Sequence, residues 1–493
     1  MSEKLVFPHN RPSHTKIVAT VGPASDSEEV LAELIEAGVD VFRLNMAHGN
    51  TEQAQERLDR IRNVSKKLGV TVGVLADLAG PKMRLGVLSD HPYPGNAYPC
   101  RTDTPMTFVR GISTTEPDTF TTTYEPLIDD VKVGDRIMLA DGTVALQVAE
   151  KHPDRIICTV VQGGTVRSRQ GINLPGTKLS IKTLQPADIE HAQWATGAGV
   201  DFLGLSFVRS VDDIRELREI LIETARTNTG YWGDIPHIIA KIEKPEAVEA
   251  IEDIVQISDG IMVARGDLGV EFDIAQIAIV QKHIIETCRK HSKPVIVATQ
   301  MLESMHHQTL PTRAEATDVA NAILDGTDAC MLSGETAVGE YPVLAVQMMH
   351  RIALEAEKLL GVRLKTADRH QIKTPSVTQA VCDAAVTVAE EVDAPVILVG
   401  TRSGRTALAV SNRRCFTLCI ASSTHISALQ RMNLYWGVFP MANVPADRRA
   451  ALEAVMTAGK EAGYLEHGDR VIYIVGAAPE SNHQNVLYVH VVE

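Results

Sequence analysis

Four apolar runs between residues 237 and 337 decide the fold: HIIAKIEKPE (237–246), DGIMVARGDLG (259–269), KPVIVATQMLE (293–303) and DACMLSGETA (328–337). Each run has about five residues rich in Ile, Val, Met or Ala, then a polar end, then a stretch with helical periodicity. Buried strands that alternate with helices are typical of parallel βα units. Because such folds place their chemistry where the strands end, the polar ends of these runs are the first candidates for a functional site.

Four similar runs precede this stretch: KIVATVG (16–22), VDVFRLNM (39–46), VGVLADL (72–78) and VDFLGLSFV (200–208). Helical patterns lie between most of them, for example SEEVLAELIEAG, which Ser27 can cap and Gly38 can end. The eight βα units predict an α/β protein built on a (β/α)₈ TIM barrel, with the active site at the C-terminal ends of the strands.

The spacing of the βα units fails once, between Leu78 and Val200. The composition there changes to Pro, Gly and Thr, with short alternating runs such as VKVGDRIMLADGTVALQV. We therefore expect an inserted β-barrel lid domain at 82–181, which divides the catalytic barrel into 15–81 and 182–358. A lid at the rim of the barrel can exclude water from the reaction.

The two ends of the chain lie outside this barrel. Residues 1–14 form a short N-terminal segment. From residue 359 the pattern restarts with a helix, and APVILVGTRSGRT, CFTLCIASS and DRVIYIVG read as further strands. The region 359–493 therefore predicts a separate α/β domain with an open sheet, which is a candidate for effector binding.

Composition excludes several classes of partner. The 493 residues suffice for roughly three domains, and 48 Lys+Arg against 62 Asp+Glu give a formal net charge of −14. Nucleic acids and anionic membranes need basic surfaces, so we expect neither as a partner. The chain has no long apolar run and no secretory signal, and its seven scattered Cys favour reduced, buried thiols over a disulfide or zinc site. These features predict a cytoplasmic protein.

Charged residues follow two neighbouring strands. Lys241 and Glu243 lie two residues apart and so project to the same side, and Asp267 lies in a Gly-flanked turn after the next strand. Glu243 and Asp267 can share a divalent ion, since Mg²⁺ is usually held by one or two carboxylates together with substrate oxygens. Lys241 beside it would suit an anionic substrate. A plain ion-pair network in the barrel mouth is the alternative.

The other strand ends add polar candidates. A small hydroxyl taken alone is more often a helix cap, and a lone Arg or His is more often a surface or loop residue. Arg nevertheless offers forked donors that suit phosphate or carboxylate, and convergence on one rim favours a site. The standard phosphate-binding loops, G-x-x-x-x-G-K-[ST] and G-x-G-x-x-G after a strand, are absent from the sequence. The candidates are Arg43, Asn45, His48, Asp77, Arg84, Thr299, Ser333 and Glu335.

Longer motifs carry a family resemblance. FRLNMAHG (42–49), IAKIEKPE (239–246), IMVARGDLGVE (261–271), KPVIVATQMLESM (293–305) and RAEATDVANAILDGTDACMLSGETAVGEYP (313–342) resemble the pyruvate kinase family, as do NLPG (173–176) and NLYWGVFP (433–440). The resemblance implies phosphoryl transfer from phosphoenolpyruvate to ADP, which gives pyruvate and ATP in the last step of glycolysis. It also implies Mg²⁺ or Mn²⁺ as the cofactor and a homotetramer as the assembly.

The resemblance implies roles for the residues that match its motifs. Glu243 and Asp267 resemble the ligands of the divalent metal. Lys241 resembles the cation that stabilises the phosphoryl group in flight, Thr299 lies beside the enolate carbon to be protonated, and Arg43 joins them as a catalytic residue. The resemblance also implies a set of substrate-binding residues, which are Arg43, Lys241, Ala264, Arg265, Gly266, Asp267 and Thr299.

The nucleotide side and the lid are assigned in the same way. Arg43, Asn45, His48 and Arg84 resemble residues on the nucleotide and phosphate side, and Asp141 in LADGT resembles the lid residue that closes over the site. These roles are physically sensible, because phosphoryl transfer depends mostly on positioning and on cations. The proton donor to the enolate stays open, with a weak preference for Thr299 through a water, backed by Ser333 and Glu335.

The chain departs from the family where many members bind K⁺. The Asn and Asp of that site remain as Asn45 and Asp77, but Ala47 replaces a Ser, Leu78 a Thr, and Lys82 a nearby Glu. Two oxygen ligands are lost while a fixed ammonium is gained. We therefore expect Lys82 to supply the charge that K⁺ would bring, so that K⁺ is not required; the alternative is that Lys82 is a solvated loop residue.

Two further features affect ligand binding. Gln170 stands where a Lys is frequent in the family, near Arg167 and Arg169, so the lid departs from the family pattern where it would contact the nucleotide. GTRSGRT (400–406) follows a strand and precedes a helix, a setting suited to an anion. It resembles the family's effector loop for sugar phosphates, so the candidate ligands of a sugar-phosphate or nucleotide effector are Thr401, Arg402, Ser403, Gly404, Arg405 and Thr406. A well-capped loop without a ligand is the alternative.

Two other functions compete with this interpretation. One is a Mg²⁺-dependent barrel aldolase or lyase that acts on an enolate and needs no ADP. The other is a catalytically silent sensor of nucleotides or sugar phosphates. Loss of Lys241, Glu243 or Asp267 would favour the sensor, but all three residues are present.

Overall fold

A computed structural model describes most of the chain. The described residues are 5, 7, 13–88, 97–111, 113–114, 116, 118–140, 142–229, 234–366, 376–475 and 485–493.

The first elements are three parallel strands and the two helices that connect them. Their elements are β1 (Lys16–Thr20), α1 (Glu28–Ala37), β2 (Val41–Asn45), α2 (Thr51–Leu68) and β3 (Gly73–Asp77). Ser27 caps α1 by accepting a hydrogen bond from the Val30 amide, and Gly38 ends it at φ 114°, a left-handed conformation that glycine adopts readily. Both boundaries of α1 agree with the sequence pattern.

The segment after β3 forms the inserted β domain. Its largest sheet has six strands in the order β13-β9-β10-β11-β6-β8, and two small two-stranded sheets accompany it. A separate hydrophobic core, with Phe108, Phe120 and Leu139 at its centre, holds this domain together. The elements are β4 (Val87–Leu88), β5 (Ala97–Cys100), β6 (Pro105–Val109), β7 (Ser113–Thr114), β8 (Thr119–Phe120), α3 (Leu127–Asp130), β9 (Arg136–Leu139), β10 (Val144–Lys151), β11 (Arg155–Gln162), β12 (Gly164–Arg167) and β13 (Ile172–Asn173).

The remaining repeats complete the barrel. The elements are α4 (Pro186–Ala198), β14 (Phe202–Leu205), α5 (Val211–Thr229), β15 (His237–Ile242), α6 (Pro245–Glu249), α7 (Ile251–Ile257), β16 (Gly260–Ala264), α8 (Arg265–Glu271), α9 (Ile277–Lys290), β17 (Val295–Ala298), a 3₁₀ turn (Glu303–His306), α10 (Arg313–Asp325), β18 (Ala329–Leu332), α11 (Gly334–Ala337) and α12 (Pro342–Thr366).

Eight parallel strands close the barrel in the order β1-β18-β17-β16-β15-β14-β3-β2. The main core lies between these strands and the surrounding helices. A second core fills the barrel's interior and continues into the C-terminal domain. The predicted fold class, a (β/α)₈ barrel with an inserted β lid and a C-terminal α/β domain, is confirmed.

The C-terminal domain is an open five-stranded sheet with helices. The elements are α13 (Val377–Glu391), β19 (Val396–Gly400), α14 (Arg405–Ser411), β20 (Leu418–Ser422), α15 (Ile426–Met432), β21 (Val438–Pro440), α16 (Arg448–Glu461), β22 (Arg470–Val475) and β23 (Val486–Val491). The strand order is β21-β20-β19-β22-β23, and only the last pair is antiparallel.

The seven Cys are all buried thiols. In the described part of the chain, no helix is both long and apolar enough to cross a membrane.

Candidate active site

The polar strand ends predicted from the sequence meet at one rim of the barrel. β2 and β3 pair so that Asn45 lies opposite Asp77, the last residue of each strand. β15 carries Lys241 near its end, and Glu243 follows directly. α8 starts at Arg265, directly after β16, and has Asp267 in its first turn.

Four charged side chains form a continuous chain of ion pairs across this rim. Arg43 donates to Asp77 Oδ2, with Nε at 2.8 Å and Nη2 at 2.6 Å. Lys241 Nζ lies 3.3 Å from Asp77 Oδ1 and 3.0 Å from Glu243 Oε1. The ion-pair network considered as an alternative is therefore present, and it is made of the residues proposed for substrate and metal.

Lys241 is held by a third contact that the sequence analysis missed. Its ammonium donates a 2.7 Å hydrogen bond to Ser206 Oγ, and that hydroxyl donates to the Leu78 carbonyl at 2.6 Å. Burial alone would lower the pKa of Lys241, but the carboxylates of Asp77 and Glu243 outweigh it and raise the pKa above its usual value. Lys241 is thus a fixed cation, aimed across the mouth of the barrel.

Glu243, one of the two proposed metal ligands, has an oxygen atom available. Glu243 Oε2 accepts a 2.9 Å hydrogen bond from the Phe207 amide. Glu243 Oε1 and Asp77 Oδ1 are buried and have no hydrogen-bond partner of good geometry among the described residues. Burial raises the pKa of Glu243, Lys241 opposes the rise, and Asp267 adds to it, so Asp267 is close enough to repel the Glu243 charge. Hard oxygen donors with unsatisfied lone pairs next to a second carboxylate fit Mg²⁺ or Mn²⁺.

Thr299 is fixed in an uncommon backbone conformation beside this cluster. It has φ 67°, in the left-handed region that β-branched residues rarely adopt. Its hydroxyl donates to the Ala298 carbonyl and accepts from the Gly266 amide, each at 2.7 Å. Arg265 donates to the Thr299 carbonyl at 2.8 Å. Strain of this kind persists only where the surroundings hold it, and it is concentrated at functional sites.

The guanidinium of Arg265 points at protein groups and not into the rim. It bonds the Thr299 and Gln300 carbonyls and forms a 2.6 Å ion pair with Asp318. Any contact of this segment with substrate must therefore come from its backbone, as the family resemblance implies for Ala264, Arg265 and Gly266.

Ser333 and Glu335 lie at the end of β18. Glu335 is 1% exposed, and its two oxygens accept the amides of Leu302 at 3.1 Å and Ser333 at 2.7 Å. Ser333 Oγ is buried and has no hydrogen-bond partner in the described residues. An unsatisfied hydroxyl next to a buried carboxylate is a natural position for a bound water.

The nucleotide-side candidates lie together on the β2 and β3 side of the rim. Asn45 Oδ1 accepts the Ala47 amide at 3.1 Å, so one face of its amide is already used. Burial and the nearby cations Lys82, Arg84 and Arg43 lower the pKa of His48. His48 is therefore neutral at physiological pH and sits in a positive field, which favours a polyanion.

Lys82 stands at the mouth of the same region. The residue is exposed, but the concave rim around it removes part of its hydration, and this burial together with Lys241 lowers its pKa. Asp267 and Asp77 act in the opposite sense and raise it. Lys82 therefore interacts with the charges of the site, whereas a solvated loop lysine would feel none of them.

The lid approaches the barrel near this site. Asp141, proposed as the lid residue, lies outside the described residues. Its neighbour Gly142 packs near α8, where a Cβ at Gly142 would lie 3.7 Å from the Val270 side chain. The guanidinium of Arg84 donates to the Arg169 carbonyl at 3.0 Å and so joins the two ends of the lid.

A second candidate site lies far from the rim, between the barrel and the C-terminal domain. A cavity of about 1130 Å³ there is lined by five members of the 401–406 loop, Arg431, His425 and barrel residues that include Ser292. Arg402 donates to His425 Nε2 and Arg405 to Ser403 Oγ, each at 3.3 Å. Neither arginine forms an ion pair within the described residues. The helix after the loop, α14, has only seven residues, so side chains and hydroxyls must supply most of any anion binding.

Several residues that shape the rim were not found from the sequence. Ser206 and Phe207 hold Lys241 and Glu243, and Thr20 Oγ1 accepts from Arg43 Nη1 at 3.2 Å. Ser206 could have been found, because it is the polar residue near the end of the predicted run VDFLGLSFV (200–208), and the rule applied to the other strand ends applies to it. Phe207 gave no signal, since it acts through its backbone amide at φ 57°.

Fold and rim together define a (β/α)₈ barrel enzyme with a charged site suited to an anionic small molecule. Comparison with known families narrows this class. The model described as "Pyruvate kinase, barrel domain" matches residues 12–346, and "Pyruvate kinase, alpha/beta domain" matches 379–490. The chain belongs to the pyruvate kinase family and is therefore a phosphotransferase.

Individual relatives agree along almost the whole chain. The pyruvate kinase of Sporosarcina psychrophila is 39% identical over 490 residues, which cover 97% of this chain and 80% of the relative. The pyruvate kinase of Geobacillus stearothermophilus is 38% identical over 485 residues, with the same coverage. A crystal structure of a pyruvate kinase from Cryptosporidium parvum superposes with a TM-score of 0.89 at 33% identity, covering 98% of this chain and 97% of that one.

Proposed function

We propose that the chain transfers the phosphoryl group of phosphoenolpyruvate to ADP and so produces pyruvate and ATP in glycolysis. The observation that carries the proposal is the buried chain of Arg43, Asp77, Lys241 and Glu243 at the rim. Phosphoryl transfer spreads negative charge over several oxygens, and fixed cations held in place before the reaction stabilise that charge without reorganisation.

Each group has a task in this reaction. Arg43 and Lys241 bind the phosphoryl oxygens from two sides. Glu243 and Asp267 would hold Mg²⁺ or Mn²⁺, which supplies further charge neutralisation when it is bound. The backbone around Gly266 receives the substrate carboxylate, while Asn45, His48 and Arg84 serve the phosphates of ADP. The lid, with Asp141 as the assigned residue, excludes water that would otherwise take the phosphoryl group.

The enolate left after transfer needs a proton. Thr299 lies in a fixed orientation next to the carboxylate-binding segment, and its hydroxyl already accepts the Gly266 amide. We assign the proton transfer to a water held by Thr299, with the unsatisfied hydroxyl of Ser333 and the buried Glu335 behind it. Thr299→Ala should then slow pyruvate formation while phosphoryl transfer persists, which isotope exchange between phosphoenolpyruvate and ATP can separate.

The test of the main proposal is pyruvate formation from phosphoenolpyruvate, ADP and Mg²⁺, with each component omitted in turn. Turnover that needs all three supports the kinase. Product formation without ADP would favour the lyase or aldolase, and ligand binding without turnover would favour the sensor. Lys241→Met should lower the rate by roughly 10²–10³, the usual effect of removing one preorganised electrostatic group.

The K⁺ requirement follows from Lys82. We infer that its ammonium replaces the monovalent cation, because its pKa responds to Asp77 and Asp267 and therefore its charge acts on the same site. The enzyme should be fully active in Na⁺-only buffer. Lys82→Glu should bring back a dependence on K⁺; if that variant matches the parent in both rate and K⁺ response, this inference is wrong.

The cavity between barrel and C-terminal domain supports an effector site. Arg402 and Arg405 have no carboxylate partner within the described residues, and Thr401, Ser403 and Thr406 line the same cavity. We infer that a phosphorylated effector, a sugar phosphate or a nucleotide, binds there. Calorimetric titration with candidate phosphorylated compounds, with Arg402→Ala and Arg405→Ala as matched variants, tests this directly.

The assembly is proposed to be a homotetramer in the cytoplasm. β23 forms one edge of the C-terminal sheet, and Tyr488, Val489 and Val491 on it are 42%, 48% and 54% exposed. Ile274 and Ile279, near the start of α9, are 84% and 67% exposed. Apolar surface in two separate places suits two different subunit interfaces. Sedimentation measurements on the full chain, with Val489→Lys to disrupt the sheet edge, give the subunit number.

A further inference from the structure

A buried ion pair connects the two elements that carry the proposed metal ligands. Neither member of this pair is one of the rim residues described above. Lys244 follows Glu243 in the chain, and Glu271 lies four residues after Asp267 on α8. Lys244 Nζ lies 2.5 Å from Glu271 Oε1, and the two side chains are only 5% and 1% exposed. The pair therefore connects the strand end that carries Glu243 to the helix that carries Asp267.

Neighbouring contacts continue this connection to the carboxylate of Glu243. The Lys244 ammonium lies 5.7 Å from the centre of the Phe207 ring, a cation–π distance. The amide of Phe207 in turn donates to Glu243 Oε2 at 2.9 Å. Gly80 leaves room for the ring, since a Cβ there would lie 2.7 Å from Phe207 Cδ2. Lys244 thus fixes the position of Phe207, and Phe207 fixes the orientation of Glu243.

Asp267 depends on the same pair through its helix. α8 has only seven residues, and Glu271 is its last. Residues four apart in a helix lie on the same face, so an anchor at Glu271 limits the rotation and tilt that would move Asp267. Close to this end, Val270 packs near Gly142 of the lid. Because Asp267 lies on α8 and Glu243 lies at the end of β15, movement of α8 would change the distance between these two residues.

Stability alone is a poor explanation for this ion pair. Taking an ammonium and a carboxylate fully out of water costs about as much as their attraction returns, and apolar pairs of similar size often stabilise a protein equally well. Replacing a group that contacts and orients a metal ligand, in contrast, typically lowers metal affinity by about 10- to 100-fold.

We propose that Lys244 and Glu271 are positioning residues that set the separation of Glu243 and Asp267 and thereby the affinity for the divalent metal. This inference rests on the proposed metal site, which the same experiment tests. Both residues act through Glu243 and Asp267, and neither is assigned a contact with the metal.

The test is Mn²⁺ binding to the full chain, measured by electron paramagnetic resonance, in the parent and in a Lys244→Met, Glu271→Leu double variant. The double variant should fold with an unchanged melting temperature and bind Mn²⁺ about 10- to 100-fold more weakly. Its kcat should return at saturating metal while the metal KM stays raised. A purely structural pair would change the melting temperature and leave the metal affinity alone.

The control is another Lys–Glu pair with the same nitrogen–oxygen distance, although its glutamate also contacts His291. Lys290 and Glu252 are also 2.5 Å apart, but their side chains are 65% and 48% exposed and lie on α9 and α7. Lys290→Met with Glu252→Leu should leave Mn²⁺ affinity unchanged. Glu271→Gln, which keeps an acceptor for Lys244, should bind Mn²⁺ more weakly than the parent and serves if the double variant does not fold.

The outcomes separate the two ideas. A parent that binds Mn²⁺ and loses it in Glu243→Gln, together with parental affinity in the Lys244 and Glu271 variants, overturns the positioning role and leaves the proposed function intact. A parent that binds no Mn²⁺ at millimolar concentration overturns the metal site and the positioning role together. Weaker binding with retained folding in the double variant, or in Glu271→Gln, supports the proposal.

Discussion

Replacing Lys241 by Met leaves two buried carboxylates without the cation they share. Lys241 Nζ is 3.0 Å from Glu243 and 3.3 Å from Asp77. At an effective dielectric constant of about 20, each attraction is worth about 5 kcal/mol before the cost of burying the ammonium is subtracted. Arg43 still compensates Asp77 in the variant, so the loss falls mainly on Glu243. The net destabilisation should be about 3–5 kcal/mol, the usual range for removing one partner of a buried pair.

Divalent metal should reverse much of this loss. A cation bound between Glu243 and Asp267 compensates the charge that Lys241 leaves behind, and a ligand that binds only the folded state stabilises it by linkage. The Lys241→Met variant should therefore gain more thermal stability from Mg²⁺ than the parent does. Activity should still be low with metal present, because the metal does not occupy the position of the ammonium.

The assay is thermal unfolding followed by circular dichroism, with and without Mg²⁺, alongside the rate of pyruvate formation. Without metal, the first transition of the variant should fall by roughly 10 °C, as expected for a few kcal/mol in a large domain. Lys290→Met, at an exposed ion pair, is the matched control and should change neither quantity. A Lys241→Met protein with parental melting temperature and a rate within about twofold would refute the electrostatic reasoning.

Three further predictions follow from the same geometry. Burial and Lys241 lower the pKa of Lys82, so its ammonium loses its proton at a lower pH than that of an unperturbed lysine. The ratio of the rates in K⁺ and Na⁺ buffers should be near one at neutral pH and rise as the pH is made alkaline, and a flat ratio would contradict the proposal that Lys82 replaces K⁺. Arg265→Met removes the hydrogen bonds that hold Thr299 in a conformation strained by roughly 1–3 kcal/mol. Steady-state kinetics should therefore show kcat falling about 10- to 100-fold with little change in the KM for phosphoenolpyruvate. A change in KM alone would assign Arg265 to substrate binding instead. Arg402→Ala should weaken binding of a phosphorylated effector by about tenfold or more in calorimetric titrations, whereas unchanged affinity would remove the cavity as the effector site.

The sequence predicted the barrel well because its strands are buried on both faces. Such strands read as continuous apolar runs, and each run here ends in a charge or hydroxyl, as in β15 with Lys241 and β17 before Thr299. The closed strand order follows from the number of βα units. The lid was recognised by its change of composition, but its sheet order is set by long-range pairing, which no local pattern encodes.

The site was predictable where a residue type carries its own chemistry. Lys241, Glu243 and Asp267 were singled out because the C-terminal ends of barrel strands carry the active site. The structure brings Lys241 and Glu243 to 3.0 Å, and the roles of all three residues stay predictions. Phe207 was not found, because its contribution is a backbone amide in a left-handed conformation. The orientation of Arg265 away from the rim was equally hidden, since a guanidinium reads as an anion ligand until its neighbours are known.

The balance of charge at the rim explains why Lys82 matters more than its exposure suggests. The cations Arg43 and Lys241 compensate two of the three carboxylates, Asp77 and Glu243, and the third is Asp267, the other proposed metal ligand. A Glu at position 82 would add a fourth carboxylate, and a bound monovalent cation would offset one of the two carboxylate charges then left uncompensated. A Lys at 82 adds a positive charge instead, so we expect these side chains to balance one another without K⁺. Because the ammonium is tethered to the chain, the proposed site would have its charge in place at any K⁺ concentration.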